Sequence, residues 1–404
     1  MENGNLNLFS VPQFGPPISS LDLDLTTRCN LNCRYCYKDR GTNEMPDRVA
    51  FDAVVWLIQA SGNNDVISIN FMGGEPLLRF DLVKKVVPFA KRRSGYHGKR
   101  VYIGTTTNCT VLNDEILNFW KMWGLSFHTS IDGSPLIQDY NRPTARGTGS
   151  SLLVEQNVPK ILEYRKNTTA RCTVTSETVH AYFDNYTYFR SLGYHSIAMV
   201  PSEIQEWSLE NVRQYEEQLQ RVMEDVISQY RLGVCVSHKE LSDYCSTLSV
   251  ASRRTISCGA GRNMVAIDCH GNIWPCSRWT NGNFTEWKLG NIYDGFKDEV
   301  RRCFLEGMPG QYIETQCEGC KACGICSCSC MADNLKHRGD IFEMHTNQCL
   351  INKIQSRIGG VFHDTLYSEK CPTFMAKYHA NEWNMINKYK STLDDGVEYD
   401  NCSA

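Results

Sequence analysis

Three cysteines fall within one short stretch, Cys29-Asn-Leu-Asn-Cys33-Arg-Tyr-Cys36, directly behind an alternating Leu21-Asp22-Leu23-Asp24-Leu25. A fold that hosts this stretch has to gather three thiols on the loop that leaves a strand. They belong to a larger stock of 20 cysteines in 404 residues, far above ordinary usage for an intracellular enzyme. Met1 to Ser10 is polar, carries Glu2 and lacks a basic segment followed by an apolar core, so no secretory signal is read. No uninterrupted apolar stretch reaches the ~18 residues that cross a bilayer. The expected location is cytoplasmic, a reducing compartment in which disulfides are rare. Metal binding is then the expected use of the thiols.

Composition narrows the function classes. Lys plus Arg number 42 against 45 Asp plus Glu, a net charge of −3, where a dedicated nucleic-acid binder would carry a basic surplus. Hydrophobic residues at 42% can bury a large core, which argues against a disordered chain. The runs Lys84-Lys85 and Lys91-Arg92-Arg93 read as solvated helix faces.

The first two hundred residues alternate between two periods. Strands are expected at 21–25, 66–71, 101–103, 125–131, 169–175 and 196–200. Helices are expected at 46–60, 81–92, 113–123 with Asn113 as N-cap, 150–165 with a break at Pro159, and 182–192. Six strands alternating with helices imply a parallel sheet with its site at the strands' C-terminal ends. A long amphipathic helix follows over 209–230, with Leu209, Val212, Leu219, Val222, Met223 and Val226 facing inward. From Cys258 to Cys349 the chain turns rich in Gly, Asn and Cys, and His270-Gly271 marks a hairpin. Metal is expected to substitute for core there. The expected domains are 1–205, a helical bridge at 206–256, a Cys-rich domain at 257–350 and a tail at 351–404 that ends in an acidic stretch, Asp394 to Asp400.

Thiolates from Cys29, Cys33 and Cys36 suit a cubane iron–sulfur cluster with one iron open to an outside ligand, since saturated clusters usually take four cysteines. A zinc site with a distant fourth ligand is the alternative, although zinc ribbons favour paired C-x2-4-C hooks. The second constellation runs Cys258, Gly271, Cys276, Cys317, Cys320, Cys326, Cys330 and Cys349. A zinc module is again the rival.

The first spacing resembles the radical S-adenosylmethionine (SAM) superfamily. Further motifs follow in its order: Gly73-Gly74-Glu75-Pro76 after the second strand, Thr107-Asn108 ending the third, Ser130 and Asp132 ending the fourth, then Arg142. The resemblance implies a partial (β/α)6 TIM-like barrel followed by a small Cys-rich iron–sulfur domain. It also implies a [4Fe-4S] cluster on Cys29, Cys33 and Cys36 that binds SAM. Tyr35 would lie against adenine, the Gly-Gly-Glu-Pro segment would bind the methionine amine, and Asn108, Ser130, Asp132 and Arg142 would complete the cofactor site. The second constellation resembles the SPASM extension of that superfamily, which implies two auxiliary [4Fe-4S] clusters. Cys317, Cys320, Cys326 and Cys349 would hold the outer one, and Cys258, Cys276 and Cys330 the inner one. Cys235, Cys245, Cys269, Cys323 and Cys328 are candidates for the inner cluster's fourth ligand. Cys109, Cys172, Cys303, Cys371 and Cys402 read as structural or incidental thiols.

The implied reaction is reductive cleavage of SAM to a 5′-deoxyadenosyl radical that abstracts hydrogen from a peptide. The catalytic acid or base is not legible. A maturase of ribosomally made precursor peptides is the expected function, by crosslinking, epimerisation or backbone excision. The alternative is an anaerobic sulfatase-maturing enzyme. That family places a proton-accepting Asp directly after the cysteine of Gly-x4-Cys, where this chain has Ser277, a poor base beside a carboxylate. A metal-cluster binding module without catalysis is the non-enzyme alternative. Only 28 residues precede Cys29, so a separate small leader-recognition protein is an expected partner. The resemblance adds an electron donor such as flavodoxin or ferredoxin, and no nucleic acid or membrane.

Overall fold

The structure is a computed structural model that describes residues 9–248, 258–280, 284–306, 317, 320, 322, 326, 330–344 and 346–391. Cys323, Cys328, Cys402 and the acidic stretch 394–400 lie outside the described residues. Contacts divide the chain into two compact units. The first comprises 1–131, 135–168 and 256–309, and the second 132–134, 169–255 and 310–404.

The first unit follows the βα rhythm of the sequence: β1 (Ser20–Asp24), α1 (Asp47–Ala60), β2 (Val66–Met72), α2 (Phe80–Tyr96), β3 (Arg100–Thr107), α3 (Asp114–Trp123) and β4 (Ser126–Ser130). β1 to β4 pair in order and in parallel. Leu21, Leu23, Ile69 and Phe71 are fully buried, and they share a register face because alternate residues of a strand point the same way. Asn113 caps α3 by accepting from Ile116 N at 2.9 Å. Three short helices follow, α4 (Pro135–Asn141), α5 (Ser151–Glu155) and α6 (Val158–Tyr164). The expected helix over 150–165 is thus two helices, and Pro159 sits in the first turn of the second, where its missing N–H costs nothing.

In the second unit β5 (Thr169–Val174), α7 (Tyr182–Ser191) and β6 (Ser196–Pro201) continue the alternation. Then come α8 (Leu209–Arg231), β7 (Ser237–His238) and α9 (Lys239–Leu248). β5, β6 and β7 are parallel. Five of the six residues expected on the inner face of α8 are buried, but Leu209 is 59% exposed. It occupies the first helical position behind the Ser208 N-cap, three residues before Val212, the first buried position of the stripe.

The Cys-rich segment is divided between the two units. β8 (Met264–Ile267) pairs in parallel with β1, and β9 (Asn272–Trp274) pairs antiparallel with β8 across the His270-Gly271 turn. β10 (Gly290–Asn291) and β11 (Gly295–Phe296) extend this edge, and α10 (Asp298–Leu305) follows. Residues 256–309 therefore belong to the first unit. Later elements belong to the second unit: α11 (Met331–Arg338), α12 (Thr346–Ser368), α13 (Pro372–Tyr378) and α14 (Ala380–Ser391). Cys349 lies in the first turn of α12, a 23-residue helix that runs well past position 350. Its period is masked by Gly359-Gly360, where a Cβ on Gly359 would stand 2.6 Å from the Cβ of Tyr244.

Candidate functional site

The loop after β1 and the turn after β2 are built as one piece. Gly74 N donates to Thr26 O at 2.8 Å, and Glu75 N donates to Arg28 O at 2.9 Å. Gly73 has φ +133°, and a Cβ there would stand 2.4 Å from Thr26 O. A Cβ on Gly74 would stand 2.1 Å from Arg28 O and 3.1 Å from the Cβ of Cys29. Both positions require glycine because two backbones touch, directly beneath the first cysteine of the trio.

Glu75 ties this piece to the end of β3. One carboxylate oxygen accepts from Leu77 N at 3.0 Å and Thr107 Oγ1 at 2.9 Å, and the other from Asn108 N at 2.7 Å. Three donors leave room for one more, since a carboxylate offers about four acceptor directions. Burial pushes the Glu75 carboxyl up to about 7, against the pull of those donors and of Arg142. Asn108 Nδ2 also reaches Asn30 Oδ1 at 2.9 Å and Cys29 Sγ at 4.0 Å.

Cys29, Cys33 and Cys36 share this loop. Cys36 N donates to Cys33 O at 3.2 Å, and Leu31 N donates to Cys29 Sγ at 3.4 Å. Burial raises the Cys29 thiol, and the charges of Glu75 and Cys36 push the same way. Arg142 stands 5.3 Å from the centroid of the Tyr35 ring, so these two expected cofactor contacts lie together. Pro76 opens a short 3-10 turn capped by Glu75. Ser130 is 8% exposed at the end of β4. Asp132 belongs to the second unit, where its carboxylate accepts from Thr173 N at 3.0 Å and its carbonyl from Cys172 Sγ at 3.2 Å.

The auxiliary cysteines divide between the units. In the first, Cys276 is pushed up to about 12, mainly by burial and also by Cys258 and Asp22. In the second, Cys317 O accepts from Cys320 N at 3.1 Å. The Cys349 thiol is raised by burial and by Cys326 and Cys320. Asn352 Nδ2 reaches Cys326 Sγ at 3.2 Å. Cys330 N donates to Glu203 at 2.8 Å, and Glu203, Cys330 and Asp333 hold their ligand atoms within 4.8 Å of one another. Neither carboxylate is legible as part of this group from the sequence.

A polar cluster that was not expected sits on β1. Lys38 pairs with Asp24 and donates to Thr280 Oγ1 at 2.7 Å, and Thr280 Oγ1 donates to Asp24 Oδ2 at 2.7 Å. Asp22 accepts from Asn70 Nδ2 at 3.3 Å and from the backbone N–H of Ser277. Burial, then Asp24, lifts Asp22 to about 6. In the sequence the two acids show only as alternation with Leu, and the structure buries both faces of the strand. Cys269, a candidate fourth ligand, donates its thiol to Asp24 O at 3.3 Å, and Cys245 is 5% exposed. Cys235 lies 3.8 Å from the Tyr230 hydroxyl. Cys109, Cys172 and Cys371 are buried and Cys303 is exposed.

These environments predict an order of alkylation in metal-free protein. A thiol with a pKa of about 12, as at Cys276 and Cys269, is roughly one part in 10^4 thiolate at pH 8, and the thiolate is the nucleophile. Iodoacetamide followed by peptide mass spectrometry should find exposed Cys36 and Cys303 modified first. Cys276 and Cys269 should stay largely unmodified until denaturant is added.

Residues 23–178 match the family model of the Radical SAM superfamily. A cysteine-type anaerobic sulfatase-maturating enzyme of Clostridium perfringens is 23% identical over 341 residues, covering 78% of this chain and 89% of that protein. A serine-type anaerobic sulfatase-maturating enzyme of Bacteroides thetaiotaomicron is 22% identical over 363 residues, covering 81% and 86%. An uncharacterized protein of Methanocaldococcus jannaschii is 36% identical over 133 residues, 33% of this chain, and the match spans only 44% of that protein. Among solved structures, native anSMEcpe with bound AdoMet and Cp18Cys peptide has a TM-score of 0.71 at 21% identity, covering 87% of this chain and 100% of that one. Streptococcus suis SuiB bound to precursor peptide SuiA has a TM-score of 0.55 at 16% identity, covering 82% and 75%. Among the described residues no helix is long and apolar enough to cross a membrane. The chain thus carries a radical SAM domain over residues 23–178, in a fold shared with anaerobic sulfatase-maturating enzymes that its sequence also resembles.

Proposed function

We propose that the chain abstracts a hydrogen atom from a residue of a ribosomally made precursor peptide, using SAM and three [4Fe-4S] clusters. The observation that carries this is the single built piece formed by the Cys29–Cys36 loop, Gly73-Gly74 and Glu75. Three thiols without a fourth partner in their loop suit a cluster that keeps one iron for an outside ligand. When bound, the cluster and SAM supply a carbon-centred radical. The protein's own part is to hold and orient. Cys29, Cys33 and Cys36 are the cluster ligands, and the remaining acceptor direction of Glu75 suits an ammonium group. Tyr35 and Arg142 offer a flat face and a cation beside them, and Asn108 fixes the loop through Asn30. Cys317, Cys320, Cys326 and Cys349 would hold one auxiliary cluster in the second unit, and Cys258 and Cys276 would serve the other from the first unit. A flavodoxin or ferredoxin is the expected reductant.

Formylglycine formation is a second reading, favoured by the similarity to sulfatase-maturating enzymes along most of the chain. The objection from Ser277 weakens because Asp22 and Asp24 supply carboxylates from β1 beside it. Both readings require a peptide. Anaerobic incubation with SAM, a reductant and candidate peptides, read by mass spectrometry, separates them. Loss of two hydrogens with no aldehyde that a hydrazine probe traps, an unchanged mass with inverted chirality, or loss of a backbone fragment supports the first. A cysteine or serine converted to an aldehyde supports the second. Deoxyadenosine formation that no peptide stimulates contradicts both.

A further inference from the structure

One cluster in the first unit is unused by the cofactor cradle. Asp24 is the last residue of β1, five positions before Cys29. It shares a register face with Asp22, and their β2 partners are Met72 and Asn70. In parallel α/β folds ligands gather at the C-terminal ends of the strands. Asp24 is 6% exposed. Its Oδ2 is clamped by the Lys38 ammonium, from the loop after Cys36, and by the Thr280 hydroxyl, from the turn after Cys276. The Lys38–Thr280 hydrogen bond closes the triangle. Its Oδ1 is also buried, yet has no hydrogen-bond partner among the described residues.

A carboxylate with one oxygen clamped and the other buried without a partner is an oriented acceptor. The clamp fixes the rotamer before any ligand arrives, which lowers the ordering cost of binding. A buried acceptor left without a donor carries a desolvation penalty that a ligand's donor relieves. Ser277 cannot serve in its place. Its backbone N–H goes to Asp22, and its hydroxyl lies 3.4 Å from that of Tyr37.

We propose that Asp24 Oδ1 accepts a hydrogen bond from the side chain of the reacting residue of the substrate peptide, a thiol or hydroxyl as in cysteine or serine. This rests on the reading that the substrate is a peptide. The site thereby distinguishes a cysteine or serine from an alanine at that position, by contact with the residue rather than with SAM.

A binding cycle tests it. Fluorescently labelled synthetic peptides carry one central cysteine or serine, with an otherwise identical alanine peptide as control. Their affinities are measured by anisotropy for the reconstituted holoenzyme with SAM, and for Asp24→Ala and Asp24→Asn. Iron content and circular dichroism report whether each variant has folded, and Asp24→Asn keeps the test open should Asp24→Ala fail. In the unmutated protein the cysteine and serine peptides should bind about 10-fold more tightly than alanine, the worth of one hydrogen bond to a charged acceptor. In Asp24→Ala the ratio should fall to about one, and in Asp24→Asn to an intermediate value. A ratio unchanged in the variants, or absent from the unmutated protein, overturns the proposal. If peptides still stimulate deoxyadenosine formation in that case, the peptide reading stands without it. If they neither bind nor stimulate, both fall.

Discussion

Replacing Cys33 with alanine is expected to remove SAM cleavage altogether. Outer-shell partners of metal sites already cost 10- to 100-fold in affinity or activity when mutated, so loss of one of three thiolates should exceed about 100-fold. Anaerobically reconstituted Cys33→Ala should bind about one cluster's worth of iron less, and form deoxyadenosine only at background when given SAM and dithionite. Cys29→Ala and Cys36→Ala should match it, because all three stand on one loop fixed by the Cys36 N to Cys33 O and Leu31 N to Cys29 hydrogen bonds. Cys303→Ala, at an exposed helical position, should change neither quantity. A Cys33→Ala protein with full iron content would place the first cluster elsewhere.

The second large effect is expected at Gly74. A methyl group there would sit 2.1 Å from Arg28 O. The obstacle is backbone, so no side-chain rotation relieves it, and the cysteine loop itself must move. Overpacking usually costs 1–3 kcal/mol, and a backbone clash inside a doubly hydrogen-bonded tie belongs at the top of that range, about 3 kcal/mol. Urea unfolding of metal-free Gly74→Ala should show that loss, and the reconstituted protein should lose iron. Gly95→Ala is the matched control. Nothing lies within 4 Å of a Cβ there, in the last turn of α2, so stability should rise by up to about 1 kcal/mol. Equal behaviour of the two variants would mean that the tie does not shape the loop.

Most of the βα alternation was legible, because a period of two or of 3.6 is a local property of the chain. β1 to β6 and the helices α1, α2, α3 and α7 lie within a few residues of their expected bounds, whereas between β4 and β5 the expected helix over 150–165 is two and α4 was not expected. What the sequence could not display were the partners. The hairpin at His270-Gly271 was readable, but nothing local says that β8 lies alongside β1 in parallel. Leu209 belongs by spacing to the buried stripe of α8, yet the capping box places it at the exposed start of the helix. Gly73-Gly74 was legible as a motif, whereas its physical reason, a backbone contact with Thr26 and Arg28, needed three dimensions. Asp22 and Asp24 were legible only as the acidic positions of an alternating strand. Their burial beside Lys38, Ser277 and Thr280 depends on a loop more than 240 positions away.

In the proposed centre the trio of thiols, tied to Gly73-Gly74 and Glu75, holds a cluster with one metal position reserved for SAM. Electron paramagnetic resonance of the dithionite-reduced, reconstituted protein tests it most directly, recorded with and without SAM in samples that are then assayed for deoxyadenosine. The expected result is a low-spin cluster signal whose g-values shift when SAM is added, with deoxyadenosine and methionine released in equal amounts. A signal indifferent to SAM, together with no deoxyadenosine, would contradict it.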